Sequence, residues 1–165
     1  MIRLATLGVA LAHADFKVRE EGGNNRGPMI RKYLESLDPP IKVDAPWCAA
    51  FIAYVSDCAA RGLGIRNPLD AVKHEALVQS YYDEFRLDVL GPAIRPEPGD
   101  LALFKFEKSE RWNHIGLVAQ PPTIGTMAWF VEGNTGDVNQ RDGDGVYLKP
   151  RDVAKQPTCF IRWAA

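Results

Sequence analysis

The chain of 165 residues carries 20 basic and 21 acidic side chains, for a net charge of −1. That balance, without a basic block, argues against nucleic acid as a partner and against binding to an anionic surface through bulk charge. A hydrophobic fraction of 46% and a charged fraction of 25% are those of a globular protein, and the length predicts one domain over 1–165.

The opening stretch MIRLATLGVALAHAD reads in two ways. One arginine, a short apolar run and Ala-His-Ala before Asp15 mimic a secretory signal. Leu4, Leu7, Leu11 and Ala14 stand at helical spacing, and the pattern runs on into DFKVREEGG, which favours a helix over about 3–20 closed by Gly22 and Gly23. A second helix is predicted over about 27–37, with Pro28 in its first turn and Pro39-Pro40 as its stop. A third spans about 45–61, with Asp44 as N-cap and Pro46 in the first turn. A fourth covers about 69–84 in LDAVKHEALVQSYYDEF. No apolar run reaches the length of a membrane span.

The texture then changes to short β-rich runs separated by Gly, Asn and Asp clusters. Strands are predicted over about 100–106 after the turn PEPGD, over 113–119 in NHIGLVAQ and over 127–133 in MAWFVEGN. GVYLKP and TCFIRW give two more. Helices followed by a strand meander predict an α+β fold, with N-terminal helices packed on one side of a C-terminal antiparallel sheet.

Cys48, Cys58 and Cys159 are odd in number and contain no CxxC pair, so neither a disulfide scaffold nor a four-cysteine zinc site is expected. His13, His74 and His114 are far apart and form no HExxH motif, so the expected metal and cofactor complement is none. Cys48 differs from the other two in position. It sits in the first turn of the third helix, where unpaired N–H groups and the positive end of the dipole stabilise a thiolate, while Phe51, Ile52, Val55, Cys58 and Ala59 form the stripe that anchors the helix. Cys58 and Cys159 read as buried core residues. A thiolate nucleophile requires a base, and His114 opens a strand with Gly116 leaving room on its own face. His13 and His74 read as surface residues. Glu132 and Asn134, two residues apart on the next strand, share a face and supply a group that can orient an imidazole.

PWCAAFIAYV, PEPGDLALF, NHIGLVA and FVEGNTGD, in that order, resemble the CHAP domains (cysteine, histidine-dependent amidohydrolase/peptidase) and the related NlpC-like cell-wall peptidases, and VREEGGNNRGPMIRKYL is similar to the leader helix and loop of phage- and prophage-type members. The resemblance runs from about Val18 to Trp163. It implies a papain-like fold, Cys48 as nucleophile, His114 as base, and Glu132 with Asn134 as the polar pair completing the site. It further implies an N-acetylmuramoyl-L-alanine amidase or endopeptidase acting on peptidoglycan or its stem peptides. Such an enzyme is made in the cytoplasm and reaches the wall, in the periplasm or outside the cell, by secretion, injection or lysis, with an immunity or delivery protein as a conceivable partner. A cysteine hydrolase acting on a non-wall protein and a non-catalytic wall-peptide binder are the alternatives.

Many CHAP domains carry glutamine before the cysteine as an oxyanion donor; this chain has Trp47. The Cys48 N–H would then need a second donor. Asn24 and Asn25 in GGNNRG can supply one, or can simply turn the chain between two helices. Trp47, Asn24, Asn25 and Trp112 are therefore the candidate substrate-binding residues. Trp112 either walls the cleft or stands as an exposed aromatic at a sheet edge. RDGDG lacks the acidic end of a calcium loop and reads as a hairpin turn.

Overall fold

The computed structural model describes residues 1–106, 108–136 and 143–164. It is α+β, with four α-helices followed by five strands: α1 (Ile2–Asp15), α2 (Pro28–Glu35), α3 (Cys48–Leu63), α4 (Val78–Glu84), β1 (Leu101–Phe104), β2 (His114–Gln120), β3 (Met127–Thr135), β4 (Gly145–Asp152) and β5 (Thr158–Ile161). The strands form one sheet in the order β4-β3-β2-β1-β5, every neighbouring pair antiparallel. Among the described residues no helix is long and apolar enough to cross a membrane.

Alternation along the strands decides what each face of the sheet meets. Leu101, Leu103, Ile115, Leu117, Val131 and Ile161 join the helices in the main core, built on Tyr33, Trp47, Phe51, Ile52 and Tyr81. Ala102, Phe104, Val118, Ala128 and Phe130 point to the opposite face, where they form a second, smaller cluster with Phe106. The register that matters most sets Gly116 beside Glu132 and Phe104 beside His114.

Several boundaries differ from the sequence expectation, each for a tertiary reason. The first helix stops at Asp15 rather than near 20, because Lys17 turns with φ 51° and Arg19 bridges to Gly145 at the sheet edge. Its N-terminus is held firmly: Ile2, Leu7 and Ala10 are buried, and Arg3 pairs with the fully buried Asp100, which also takes Arg162 at 3.0 Å. The fourth helix starts at Val78 instead of 69, because Asn67 caps a short 3-10 turn over Pro68–Ala71. The expected RDGDG turn begins at residues 141 and 142, outside the described residues.

Candidate active site

Helix α3 begins at Cys48 itself, and no side chain caps it. Asp44, expected as the cap, instead pairs with Arg26 at 2.6 Å and Arg31 at 3.4 Å. The first helical hydrogen bond runs from the Phe51 N–H to the Trp47 carbonyl at 2.9 Å. The N–H groups of Cys48, Ala49 and Ala50 therefore have no partner within the helix, and Cys48 itself is only 6% exposed. An uncapped, buried helix start holds unused donors and the positive end of a dipole, an environment suited to a thiolate or to an oxyanion beside it.

His114 faces that sulfur. The buried imidazole interacts with Cys48 electrostatically, and its Nε2 lies 2.7 Å from Glu132 Oε2. With Nε2 on the carboxylate, Nδ1 is the nitrogen left for the thiol. Burial alone would lower the imidazole pKa, but the interactions with Cys48 and Glu132 outweigh it and lift it to about 9. Glu132, fully buried, is pushed up by desolvation and pulled down further by Arg151 and His114, to about 2. Arg151 grips both carboxylate oxygens, Nε on Oε1 and Nη2 on Oε2, each at 2.5 Å. Nothing in the sequence singled Arg151 out. It is the largest addition the structure makes to the site.

Two glycines permit this assembly. A Cβ on Gly116 would lie 2.7 Å from Glu132 Cγ and 2.9 Å from the Val131 oxygen, so a bare backbone there lets the Glu132 side chain cross β2 toward the imidazole. A Cβ on Gly133 would meet Phe51 and Trp47 at 2.8 Å, so β3 can press against the first turn of α3 only without one. Asn134 follows, buried, with φ 53° at an irregularity in the β3–β4 pairing. Its amide oxygen has no hydrogen-bond partner among the described residues. Of the expected polar pair, Glu132 is therefore the one bonded to His114.

Further residues fix these positions. Tyr81 of α4 is fully buried and donates to the Ala49 carbonyl at 3.3 Å. Gln79 accepts the Trp112 N–H at 3.1 Å, tying the entry of β2 to the same helix. Asn113 bonds both the N–H (2.9 Å) and the carbonyl (3.2 Å) of Phe106, whose ring stands edge-on to His114 at 5.7 Å.

The substrate-binding expectations fare unevenly. Trp47 is completely buried, its indole N–H on Glu20 at 2.9 Å and its ring beside Tyr33, so it offers no surface to a ligand and serves the core. Asn24 is exposed and Asn25 half-buried with φ 58°, in a turn that Arg26 ties to Asp44. Trp112 precedes β2 rather than lying on it; half-buried, it packs on Tyr82 and Lys105 and lines a cavity of about 640 Å³ with Pro92 and Pro96.

His74 is exposed, as expected, but His13 is half-buried and bonds the Tyr33 hydroxyl at 2.6 Å, with its pKa lowered by burial. Cys58 is half-exposed beside Arg61 at 3.4 Å instead of buried, whereas Cys159 is buried and burial lifts its thiol to about 11. Among the described residues, no three His, Cys, Asp or Glu side chains gather into a metal-binding group.

Cys48, His114 and Glu132 thus form a buried series of thiol, imidazole and carboxylate at the uncapped start of α3. Comparison with protein-family models, curated proteins and solved structures returns no match to this chain.

Proposed function

We propose that the chain is a papain-like cysteine amidohydrolase that cuts an amide bond in peptidoglycan peptides through an acyl-enzyme. The observation that carries the reading is the buried imidazole shared between Cys48 and Glu132 at an uncapped helix start. An imidazolium beside the sulfur favours the thiolate, which attacks the substrate carbonyl carbon. The negative charge moves to the carbonyl oxygen, where the first-turn N–H groups of α3 can receive it. As the C–N bond breaks, His114 gives its Nδ1 proton to the leaving nitrogen, and a thioester remains on Cys48. Water then gives a proton to His114 as its oxygen attacks the thioester, and the acid product leaves with the thiolate restored. Glu132 keeps the Nε2 proton in place throughout, so Nδ1 always faces the reaction.

The wall substrate is supported by the resemblance of PWCAAFIAYV, NHIGLVA and FVEGNTGD to the CHAP and NlpC-like enzymes; the site's chemistry is supported by the geometry itself. Incubating the protein with purified sacculi and identifying the released fragments by mass spectrometry tests both. Release by wild type and none by Cys48→Ala is expected, with new amino termini marking an endopeptidase and free lactyl groups marking an amidase. Retention on sacculi with no fragment released would identify a binder instead.

A further inference from the structure

Glu132 is held from two sides, and only the His114 side takes part in the acyl transfer. The guanidinium of Arg151 meets the carboxylate as a fork, one nitrogen to each oxygen at 2.5 Å. It lies 5.0 Å over the Phe104 ring and 4.9 Å over the Phe106 ring, the same two rings that flank the His114 imidazole at 6.0 and 5.7 Å. Carboxylate, imidazole and guanidinium therefore share one dry compartment in the smaller core cluster. Arg151 sits opposite Ala128 in the β3–β4 register, while Glu132 sits opposite Tyr147, so the guanidinium reaches the carboxylate diagonally along the sheet.

Stability alone is a poor reason for such a group. A buried ion pair barely offsets its desolvation, and well-packed apolar side chains would serve the core as well. What a fork supplies and an apolar pair cannot is orientation: two parallel N–H···O bonds fix the plane of the carboxylate and leave Oε2 facing β2. We propose that Arg151 is a positioning residue for the hydrolase site, locking Glu132 in the orientation that presents Oε2 to His114 Nε2.

This inference rests on the hydrolase reading, but its mechanism is local. Around Glu132 the facing charged or titratable groups are His114 on β2 and Arg151, Lys149 and Tyr147 on β4, with Cys48 of α3 beyond the imidazole. Lys149 directs its ammonium to Thr135 and to the Gly136 carbonyl. Arg151 is thus the cation bonded to the carboxylate through both oxygens. Removing it removes a positive neighbour from a buried acid, and the carboxyl must then bind a proton more readily. Lysine keeps a charge but lacks the fork.

The test compares wild type with R151K and R151M in three readouts: digestion of sacculi across pH 4–8, the 13C-carboxyl titration of Glu132 over the same range, and the 15N tautomer signature of His114 at pH 10.5, above its own titration, where the ring is neutral. Wild type is expected to hold Glu132 ionised over pH 4–8 and to show His114 as the Nε2–H tautomer once it is neutral at pH 10.5. R151M is expected to titrate Glu132 within that range, move the acid limb of digestion upward with it, and mix the two tautomers. R151K is expected to keep the carboxylate ionised yet digest about 10- to 100-fold more slowly, the scale of losing a supporting second partner. R151K and R151M that fold, digest as wild type and keep the Nε2–H tautomer would overturn the proposal. Should R151M fail to fold, R151K alone decides between the same two results. Wild type releasing nothing would defeat the hydrolase reading, and the His114 tautomer would still judge Arg151.

Discussion

Glu132 Oε2 lies 2.7 Å from His114 Nε2, and both side chains are shut away from solvent. Together with Cys48 on the imidazole and Arg151 on the carboxylate, this pairing holds each group in the charge state that burial disfavours, the imidazole at about 9 and the carboxyl at about 2. Glu132→Gln keeps the shape and removes the charge. It is predicted to lower the His114 titration, followed by NMR, well below its wild-type value. It also leaves Arg151 buried against a neutral amide, which should cost about 3–5 kcal/mol in urea unfolding. A His114 titration that does not move would show that the carboxylate is not its main support.

The same pair predicts how stability depends on pH. His114 is raised on folding from 6.5 to about 9, so its contribution is complete below pH 6.5 and is lost as pH rises through about 9. Glu132 is lowered from 4.5 to about 2, so its contribution is complete above pH 4.5 and is lost as pH falls through about 2. The pair should therefore give a plateau between pH 4.5 and 6.5, falling on each side by roughly 3 kcal/mol. Urea unfolding at pH 3, 5.5 and 9.5 checks the plateau, and His114→Gln should flatten the alkaline slope.

Gly116→Ala is predicted to separate folding from activity. The new methyl would meet the Glu132 side chain at 2.7 Å and the Val131 oxygen at 2.9 Å, so the carboxylate must retreat from His114. Fragment release from sacculi should fall by about 100-fold or more, on the scale of losing general acid–base function, while circular dichroism keeps the native spectrum. Wild-type release would show that the crossing over Gly116 is not needed.

Trp47 makes the opposite prediction. Because its ring is buried completely and its N–H is used by Glu20, Trp47→Phe should cost about 1–3 kcal/mol through the lost hydrogen bond, and Trp47→Ala about 3–5 kcal/mol through the cavity. Thermal unfolding measures both. A fully stable Trp47→Ala with impaired substrate binding would restore it as a ligand contact.

The parts of this molecule that were legible in its sequence are those governed by local rules. Period-two alternation marked the strands, and Pro46-Trp47-Cys48 before an apolar stripe put the cysteine in the first turn of α3. Strand parity put His114 and Gly116 on one face of β2, and the register sets Gly116 beside Glu132; the expected sharing of a face by Glu132 and Asn134 is interrupted by the irregularity at Asn134. Arg151 was illegible because LKPRD reads as the solvated end of an edge strand; its burial depends on a diagonal reach across β3 that no alternation encodes. His13 read as surface because α1 is apolar nearly all round, and only the packing of α1 against Tyr33 and Phe51 decides which side is covered. Cys58 failed for the converse reason: it stands on the α3 stripe but beside Arg61, at the edge that the core does not cover.

The central claim is that His114 activates Cys48, and the rate of Cys48 carboxamidomethylation by iodoacetamide at pH 6, read site by site by mass spectrometry, tests it without any substrate. Wild type should label Cys48 first and Cys159 last, its thiol being raised to about 11. His114→Gln should slow Cys48 by about 100-fold while leaving Cys58 unchanged. Equal Cys48 rates in wild type and His114→Gln would contradict the account.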